Sequence, residues 1–532
     1  RAPVAGALPA ERLLSRLLQP GMSTDELAAD AEQLAAVGIG LTEARRQIEL
    51  LRSPPPPPRL ERPCRIGDGI RRLDDAERSQ LEAAWQRSAV DGRLTKFVPA
   101  SGAATRMFAV ATDALEGRAP GHRELRERTE GGDAASARLL TLLDRIADLP
   151  FFSQLLRVLD ASPAEAVALA RSDAYPRVLR AIVSPEGLGY ADRPKALIPF
   201  HRYEDGSRTA FEEHLVEGAG YLRDGDGVCR FHFTVPAEHR ALFAARVERQ
   251  RPVTWTPAIS ISVQHRRTDT LALELDGTPA RHPDGSLLLR PGGHGALIEN
   301  LEALDADLVY IKNIDNVLPE TRQGLVIEWQ RLLGGLATVL AQRIHETLTI
   351  LRDSPSPTEL EAAQALCRDE LGYELGSAGA GDPHRALIER LDRPLRVCGV
   401  VPQSGEPGGG PFWVRGPGGN STRQIVEGAQ VDLDDPAQAK IWVSSTHFNP
   451  VMLVACLRRP DGERYHLADF VDPRAVFVSE KPHLDRRLRV LERPGLWNGA
   501  MAGWNSLFVE VPLETFAPVK SVVDLLRPEH RP

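Results

Sequence analysis

The sequence predicts an α/β protein with a doubly wound sheet, mixed but mostly parallel, carrying N-terminal helices and a strand-rich C-terminal lobe. Three observations support this. Short apolar runs at Leu94–Val98, Cys229–Val235, Ala258–Gln264 and Leu308–Ile314 are separated by stretches of helical periodicity. Strands alternating with helices imply crossover connections and therefore parallel pairing. From Arg396 to Pro518 the pattern changes to strand-like runs broken by Gly and Pro turns, as in a mixed or antiparallel lobe.

Taken in order, residues 10–52 show helical spacing through Leu13, Leu14, Leu17, Leu18, Leu27, Ala28, Ala31 and Leu34, with a helix start at Thr24-Asp25-Glu26. Ser53 and five prolines, Pro54 to Pro58, form a stiff polyproline connector and place a boundary there. The expected division is 1–58, 59–380 and 381–532. A helix is expected over Asp74–Ala89, then a strand, a small-residue loop and a largely helical stretch over 109–182. Strands follow at Ala196–Pro199, Cys229–Val235, Ala258–Gln264, Leu271–Leu275 and Leu308–Ile314, with a helix at Ala237–Arg249. Residues 323–376 read as helix, interrupted at Asp353-Ser-Pro-Ser-Pro357.

With 532 residues the chain is too long for one ordinary core. A net charge of −8 lacks the basic stripe of a nucleic-acid binder. No apolar run is long enough to span a membrane, and the first residues lack a signal-peptide core. Five scattered cysteines form no Cys-x-x-Cys pair, which fits a reducing setting without a zinc cluster or disulfide framework. A cytoplasmic protein is expected.

Four segments carry candidate chemistry. In Ser101-Gly102-Ala103-Ala104-Thr105-Arg106, small side chains let backbone amides approach a ligand. The following helix start favours anions, and the Arg106 guanidinium fits phosphate oxygens. Gly-Lys-Ser/Thr is absent, so this is no Walker loop. In Arg193-Pro194-Lys195, a lysine precedes an apolar run. Gly292-Gly293-His294-Gly295 is followed by Asn313-Ile314-Asp315-Asn316 after a strand. Ligands collect at the carboxyl ends of strands in open α/β sheets, so a carboxylate there is placed to hold a cation. Finally, Phe516-Ala-Pro-Val-Lys520 leads into Asp524-Leu-Leu. Trp497 and Trp504, among glycines, read as inter-lobe packing or a sugar platform.

The order of these pieces resembles the sugar-nucleotide pyrophosphorylases. Ser101–Arg106 looks like their nucleotide loop, commonly Gly-Gly-x-Gly-Thr-Arg, and Pro194-Lys195 like their Pro-Lys motif. Gly293-His-Gly295 resembles a loop of the UDP-glucose and UDP-N-acetylhexosamine enzymes, and Asn313–Asn316 their Asn-Val-Asp-Asn. Phe516–Lys520 with Asp524-Leu-Leu resembles Phe-Leu-Pro-Val-Lys…Asp-Leu-Leu, while Glu427 and Phe448-Asn449 echo the family more weakly. The strings Val98–Phe108, Lys312–Val317 and Gly495–Met501 are also similar to an uncharacterised bacterial family. Ser101 and Ala104 stand where glycine is usual, and Ala296 where an acidic residue is common.

The resemblance implies a nucleotidyltransferase, glycosyltransferase-A-like fold. It also implies a reaction joining a nucleoside triphosphate, UTP favoured, to a sugar 1-phosphate with release of pyrophosphate. It assigns Arg106, Lys195 and Lys520 to catalysis, and residues 101–105 with Gly292, Gly293 and His294 to the nucleotide. Glu427 and Asn449 go to the sugar and Asp315 to Mg²⁺; a second metal carboxylate is not identifiable, Asp469 and Asp472 being candidates only by nearness in sequence. Two rivals remain. One is a nucleotide-sugar-dependent glycosyltransferase using Asp305-Ala-Asp307, and the other a non-catalytic binder of a nucleotide or sugar phosphate.

Overall fold

The computed structural model describes residues 27–531 except 103, 118–119, 251, 374–381, 404, 406–407, 417–418 and 485. The helix expected over residues 10–26 and the loop residue Ala103 lie outside the described residues.

The centre is a nine-stranded sheet. In chain order its strands are β1 (Arg65–Ile66), β2 (Gly69–Arg71), β3 (Leu94–Pro99), β4 (Val228–Val235), β5 (Thr256–Val263), β6 (Leu308–Lys312), β7 (Leu395–Pro402), β8 (His447–Cys456) and β9 (Asn505–Glu510). Their spatial order is β1-β2-β9-β7-β8-β6-β3-β4-β5. Every strand runs the same way except β8, which is antiparallel to both β6 and β7. The sheet is therefore mixed and mostly parallel.

Alternate residues of the central strands feed two cores. Leu308 and Tyr310 join one face, while Val309 and Ile311 join the other. That is the near-continuous apolar run expected of a strand covered on both sides. The Gly324–Arg352 helix crosses the first face. Gly334 and Gly335 allow its close approach, since a Cβ would lie 1.8 Å from the Tyr310 hydroxyl and 1.9 Å from the Leu81 carbonyl, respectively. Beside it lies the Ala210–Leu222 helix, whose start is fixed by a capping box between Thr209 and Glu212.

Three sequence expectations are corrected. Ala196–Pro199 is not a sheet strand. Lys195–Leu197 is a 3₁₀ turn, and Pro199–Tyr203 pairs instead with Gly206–Thr209 in a separate hairpin. Prolines at 194 and 199 cannot donate to a central ladder. Thr270–Glu274, expected among parallel strands, lies in a four-stranded antiparallel sheet with Leu289–Arg290, Phe477–His483 and Arg486–Glu492. Helices Ala31–Val37 and Leu41–Arg52 share an apolar cluster with that sheet, through Leu34, Ile48, Leu51, Leu271 and Leu273. The boundary at 380 falls inside one fold, because β7, β8 and β9 belong to the central sheet. A strand separated by hundreds of residues is placed by pairing, which local composition does not encode.

Candidate functional site

The chain runs from β3 outward through β4 and β5, then returns to β6 on the other side of β3. Such a reversal opens a crevice at the strands' carboxyl ends. The Ser101–Arg106 loop leaves β3 there, and Asn313–Asn316 leaves β6.

Backbone bonds fasten the other two segments to this crevice. The Ala104 amide donates to the Arg193 carbonyl at 3.0 Å, and the Lys195 amide to the Gly102 carbonyl at 3.2 Å. The Thr105 hydroxyl donates to the Ala191 carbonyl at 3.1 Å. On the other side, the Val519 amide donates to the Asp315 carbonyl at 2.9 Å, and the Val522 amide to the Met107 carbonyl at 2.9 Å. Asn316 completes the clasp by accepting from the Ala517 amide at 3.1 Å. Four segments spread over four hundred residues thus meet at one edge.

Lys195 links them chemically. Its ammonium donates to Asp315 Oδ2 at 3.1 Å and to the Val519 carbonyl at 3.0 Å. The Lys195 and Asp315 side chains are 14% and 24% exposed, so the pair is open to a ligand from one side. Arg106 is exposed and has no side-chain partner among the described residues. Lys520 is half-buried, and its backbone amide donates to Asp524 Oδ2 at 2.8 Å. The absence of glycine at 101 and 104 brings no positive φ at either of those two positions. Among the described non-glycine residues a positive φ occurs only at Asp160, Ser354, Val451 and Leu484. The Ala104 amide, given to Arg193, is not available to a phosphate.

Gly292–His294 forms a second cluster beyond the end of β5. His294 stacks on Trp497 with centroids 4.3 Å apart, and its Nδ1 accepts from the Leu496 amide at 3.1 Å. Burial pushes its pKa below the ordinary value, so it is neutral near pH 7. The Trp497 Nε1–H donates to Glu427 Oε1 at 3.3 Å, and Asn498 Nδ2 to Gln430 Oε1 at 3.0 Å. Glu427 and half-buried Trp497 therefore stand together, an association sequence spacing does not reveal. A Cβ on Gly292 would lie 2.3 Å from the Thr268 carbonyl, and one on Gly295 2.1 Å from the Pro494 carbonyl. These two glycines serve close protein packing. Among the described residues no hydrogen bond, ion pair or ring contact joins Gly292–His294 directly to Arg106 or Asp315.

The two clusters are bridged by the start of β8. Phe448 meets Phe516 edge-on with centroids 4.8 Å apart, and the Asn449 amide donates to the Gly409 carbonyl at 2.8 Å, beside Glu427. Asn449 is buried, and its side chain is engaged. Nδ2 donates to the Gly399 carbonyl at 2.8 Å, and Oδ1 accepts from the Val451 amide at 3.1 Å. This bond holds Val451 at φ +56°, a strained conformation for a β-branched residue. Asn449 maintains a bulge in the wall rather than presenting a polar group.

Other carboxylates lie elsewhere. Asp305 accepts from Arg458 at 2.6 Å, and Asp307 from Arg93 at 2.9 Å and from Arg458, at the amino end of β6. Asp469 is exposed, while Asp472 pairs with Arg474 at 3.3 Å. Among the described residues no group of three or more His, Cys, Asp or Glu is arranged to hold a metal. A single carboxylate nevertheless fits Mg²⁺, which keeps several waters and completes its shell with substrate phosphates. All five cysteines are free and buried, and no described helix is long and apolar enough to cross a membrane.

Comparison with solved structures finds similarity to several proteins. One is the uridine diphosphate N-acetylglucosamine pyrophosphorylase from Trypanosoma brucei, at 13% identity over 99% of this chain and 85% of that one, with a TM-score of 0.45. Another is a UDP-glucose pyrophosphorylase mutant from Leishmania major in complex with UDP-glucose, at 13% identity over 95% and 79%, TM-score 0.41. A third is the UDP-glucose phosphorylase from Trypanosoma brucei, at 12% identity over 94% and 78%, TM-score 0.44. No curated protein matches by sequence. The model of the family described as "Domain of unknown function (DUF4301)" matches residues 27–531, and the chain belongs to that family.

Proposed function

We propose that this protein is a nucleotidyltransferase that joins a nucleoside triphosphate, UTP foremost, to a sugar 1-phosphate and releases pyrophosphate. The observation that carries the reading is the convergence of Arg106, Lys195, Asp315 and the Val519–Lys520 segment at the sheet's switch point. These are the segments whose motifs resemble the sugar-nucleotide pyrophosphorylases, and their charges suit two polyanions brought together.

In this reaction an oxygen of the sugar phosphate attacks the α-phosphorus in line, and the bond to the leaving pyrophosphate breaks. No protein nucleophile is needed; the work is orientation and charge compensation. Arg106, unpartnered among the described residues, receives the β- and γ-phosphates. Lys195 turns from Asp315 towards the triphosphate, leaving the carboxylate to a cation. Lys520 receives the sugar phosphate. Asp315 would hold Mg²⁺, which supplies charge neutralisation between phosphate oxygens. Glu427 accepts from sugar hydroxyls, and Trp497 offers a face to the ring.

The test is a magnesium-dependent screen of nucleoside triphosphates against sugar 1-phosphates, read by pyrophosphate release. Turnover with at least one pair, abolished in Asp315→Ala, is expected. A nucleotide that binds without any pyrophosphate release would make the protein a sensor instead. The glycosyltransferase alternative is disfavoured, because both Asp305 and Asp307 are engaged with arginines at the opposite edge.

A further inference from the structure

A cluster of charge lies within the fold immediately beneath the crevice. Lys96 on β3 and Lys312 on β6 project from neighbouring parallel strands towards the Ala210–Leu222 helix, where both meet Glu217. Lys96 Nζ donates to Glu217 Oε1 at 3.0 Å, and Lys312 Nζ donates to Oε2. The three side chains are 0–1% exposed. Among the described residues their other neighbours carry no compensating charge. His214 is kept neutral by burial, and the Tyr221 hydroxyl is held protonated.

The charges do not cancel. One carboxylate balances one ammonium, and the second lysine leaves a surplus positive charge inside the protein. Burial pushes Lys96 down to about 8, which still leaves it protonated at neutral pH. Burying an unmatched ion is costly, and structure alone would be served by a one-to-one pair. The cluster also connects directly to the site. Lys96 donates to the His214 carbonyl at 3.0 Å, and His214 Nε2 donates to the Ile314 carbonyl at 3.1 Å, one residue before Asp315. Glu217 lies three helical residues below His214, about 5 Å along the axis.

We infer that the Lys96–Glu217–Lys312 triad supplies a fixed surplus positive charge beneath the Asp315 loop, with Lys312 strengthening the binding of a polyphosphate it does not touch. This rests on the reading of the crevice as a polyphosphate site. The bound anion supplies the missing counter-charge, and because the lysines are dry the effect resists salt.

The experiment is calorimetric titration of inorganic tripolyphosphate, without metal, into the wild type, Lys312→Met, Lys96→Met and Arg106→Ala, at low and moderate salt. Lys312→Met should bind about tenfold more weakly, the effect of one charge across roughly 10 Å at an effective dielectric near 20. The factor should persist on raising salt, Lys96→Met should behave alike, and both melting temperatures should hold or rise. Unchanged affinity in both folded lysine variants, with weakened binding in Arg106→Ala, overturns the inference and leaves the site reading standing. Failure of both lysine variants to fold makes the second lysine structural and also overturns it. No tripolyphosphate binding by the wild type overturns the site reading and the inference together.

Discussion

At the scale of single residues, the site is defined by which polar groups are already engaged. Asp315 and Lys195 hold each other at 3.1 Å, so a metal at the carboxylate and a phosphate at the ammonium would each replace a partner the other group supplies. Asp315→Ala should therefore abolish magnesium-dependent pyrophosphate release while circular dichroism stays native. Retained turnover would remove Asp315 from its role. Arg106 is exposed and its side chain makes no hydrogen bond, ion pair or ring contact with the described residues, so Arg106→Ala should change folding stability by less than about 0.5 kcal/mol. Its KM for the triphosphate should nevertheless rise at least tenfold, the loss expected for a charge-assisted contact to phosphate. Denaturant unfolding beside steady-state kinetics separates the two effects.

Among elements, the loops that build the crevice owe their shape to packing. Gly295 faces the Pro494 carbonyl at a distance that excludes a methyl group. Gly295→Ala should push the His294 turn off the Arg493–Trp497 segment and destabilise the fold by about 1–3 kcal/mol, as overpacking does; thermal melting checks this. Trp497 both stacks on His294 and donates to Glu427, so it couples that turn to the proposed sugar side. Trp497→Phe keeps the stack and removes the donor. It should raise KM for the sugar phosphate several-fold with little change for the triphosphate, and the opposite split would place Trp497 on the nucleotide.

Across the whole molecule, buried histidines set the response to acid. Burial lowers His201 and His530 from 6.5 to about 3, and His232 to about 4. The unfolded chain protonates all three below pH 6.5 while the folded chain does not, so their contribution is present above 6.5 and lost as pH falls towards 4. Glu213 opposes this. Burial raises it to about 7, so the folded state retains its proton between 4.5 and 7 and stability declines with rising pH there. His214, His294 and His345 are lowered as well, so the lowered histidines outnumber the raised carboxyls Glu213 and Asp269 and stability is lost on acidification. The melting temperature should fall between pH 7 and 5, and less steeply in His232→Asn, whose ring sits apart from the His201–Glu213–His530 contacts. An unchanged slope in that variant would show that His232 does not contribute.

Much of this was legible in the residues. Apolar runs announced β3, β4, β5 and β6, and the Asp353-Ser-Pro-Ser-Pro break marked the end of the long helix, because periodicity and proline act locally. Arg106, Lys195, Asp315 and Lys520 were legible as short motifs in a fixed order. The triad was not, although a lysine inside Leu-Thr-Lys-Phe-Val and another ending Leu-Val-Tyr-Ile-Lys were signals that a buried cation needed a partner. Neither Glu217 nor the pairing of Glu427 with Trp497 could be found from spacing. The strand Ala196–Pro199 and the separate C-terminal lobe were misread, since membership of a sheet depends on partners far along the chain. Sequence by itself determined the alternation of elements, the charge of the chain and the chemical inventory. Tertiary structure alone decided that β7, β8 and β9 complete the sheet, that four distant segments share one edge, and that a surplus charge lies beneath them. The reason is that hydrogen-bonded register and burial are properties of pairs of segments, and no single segment carries them.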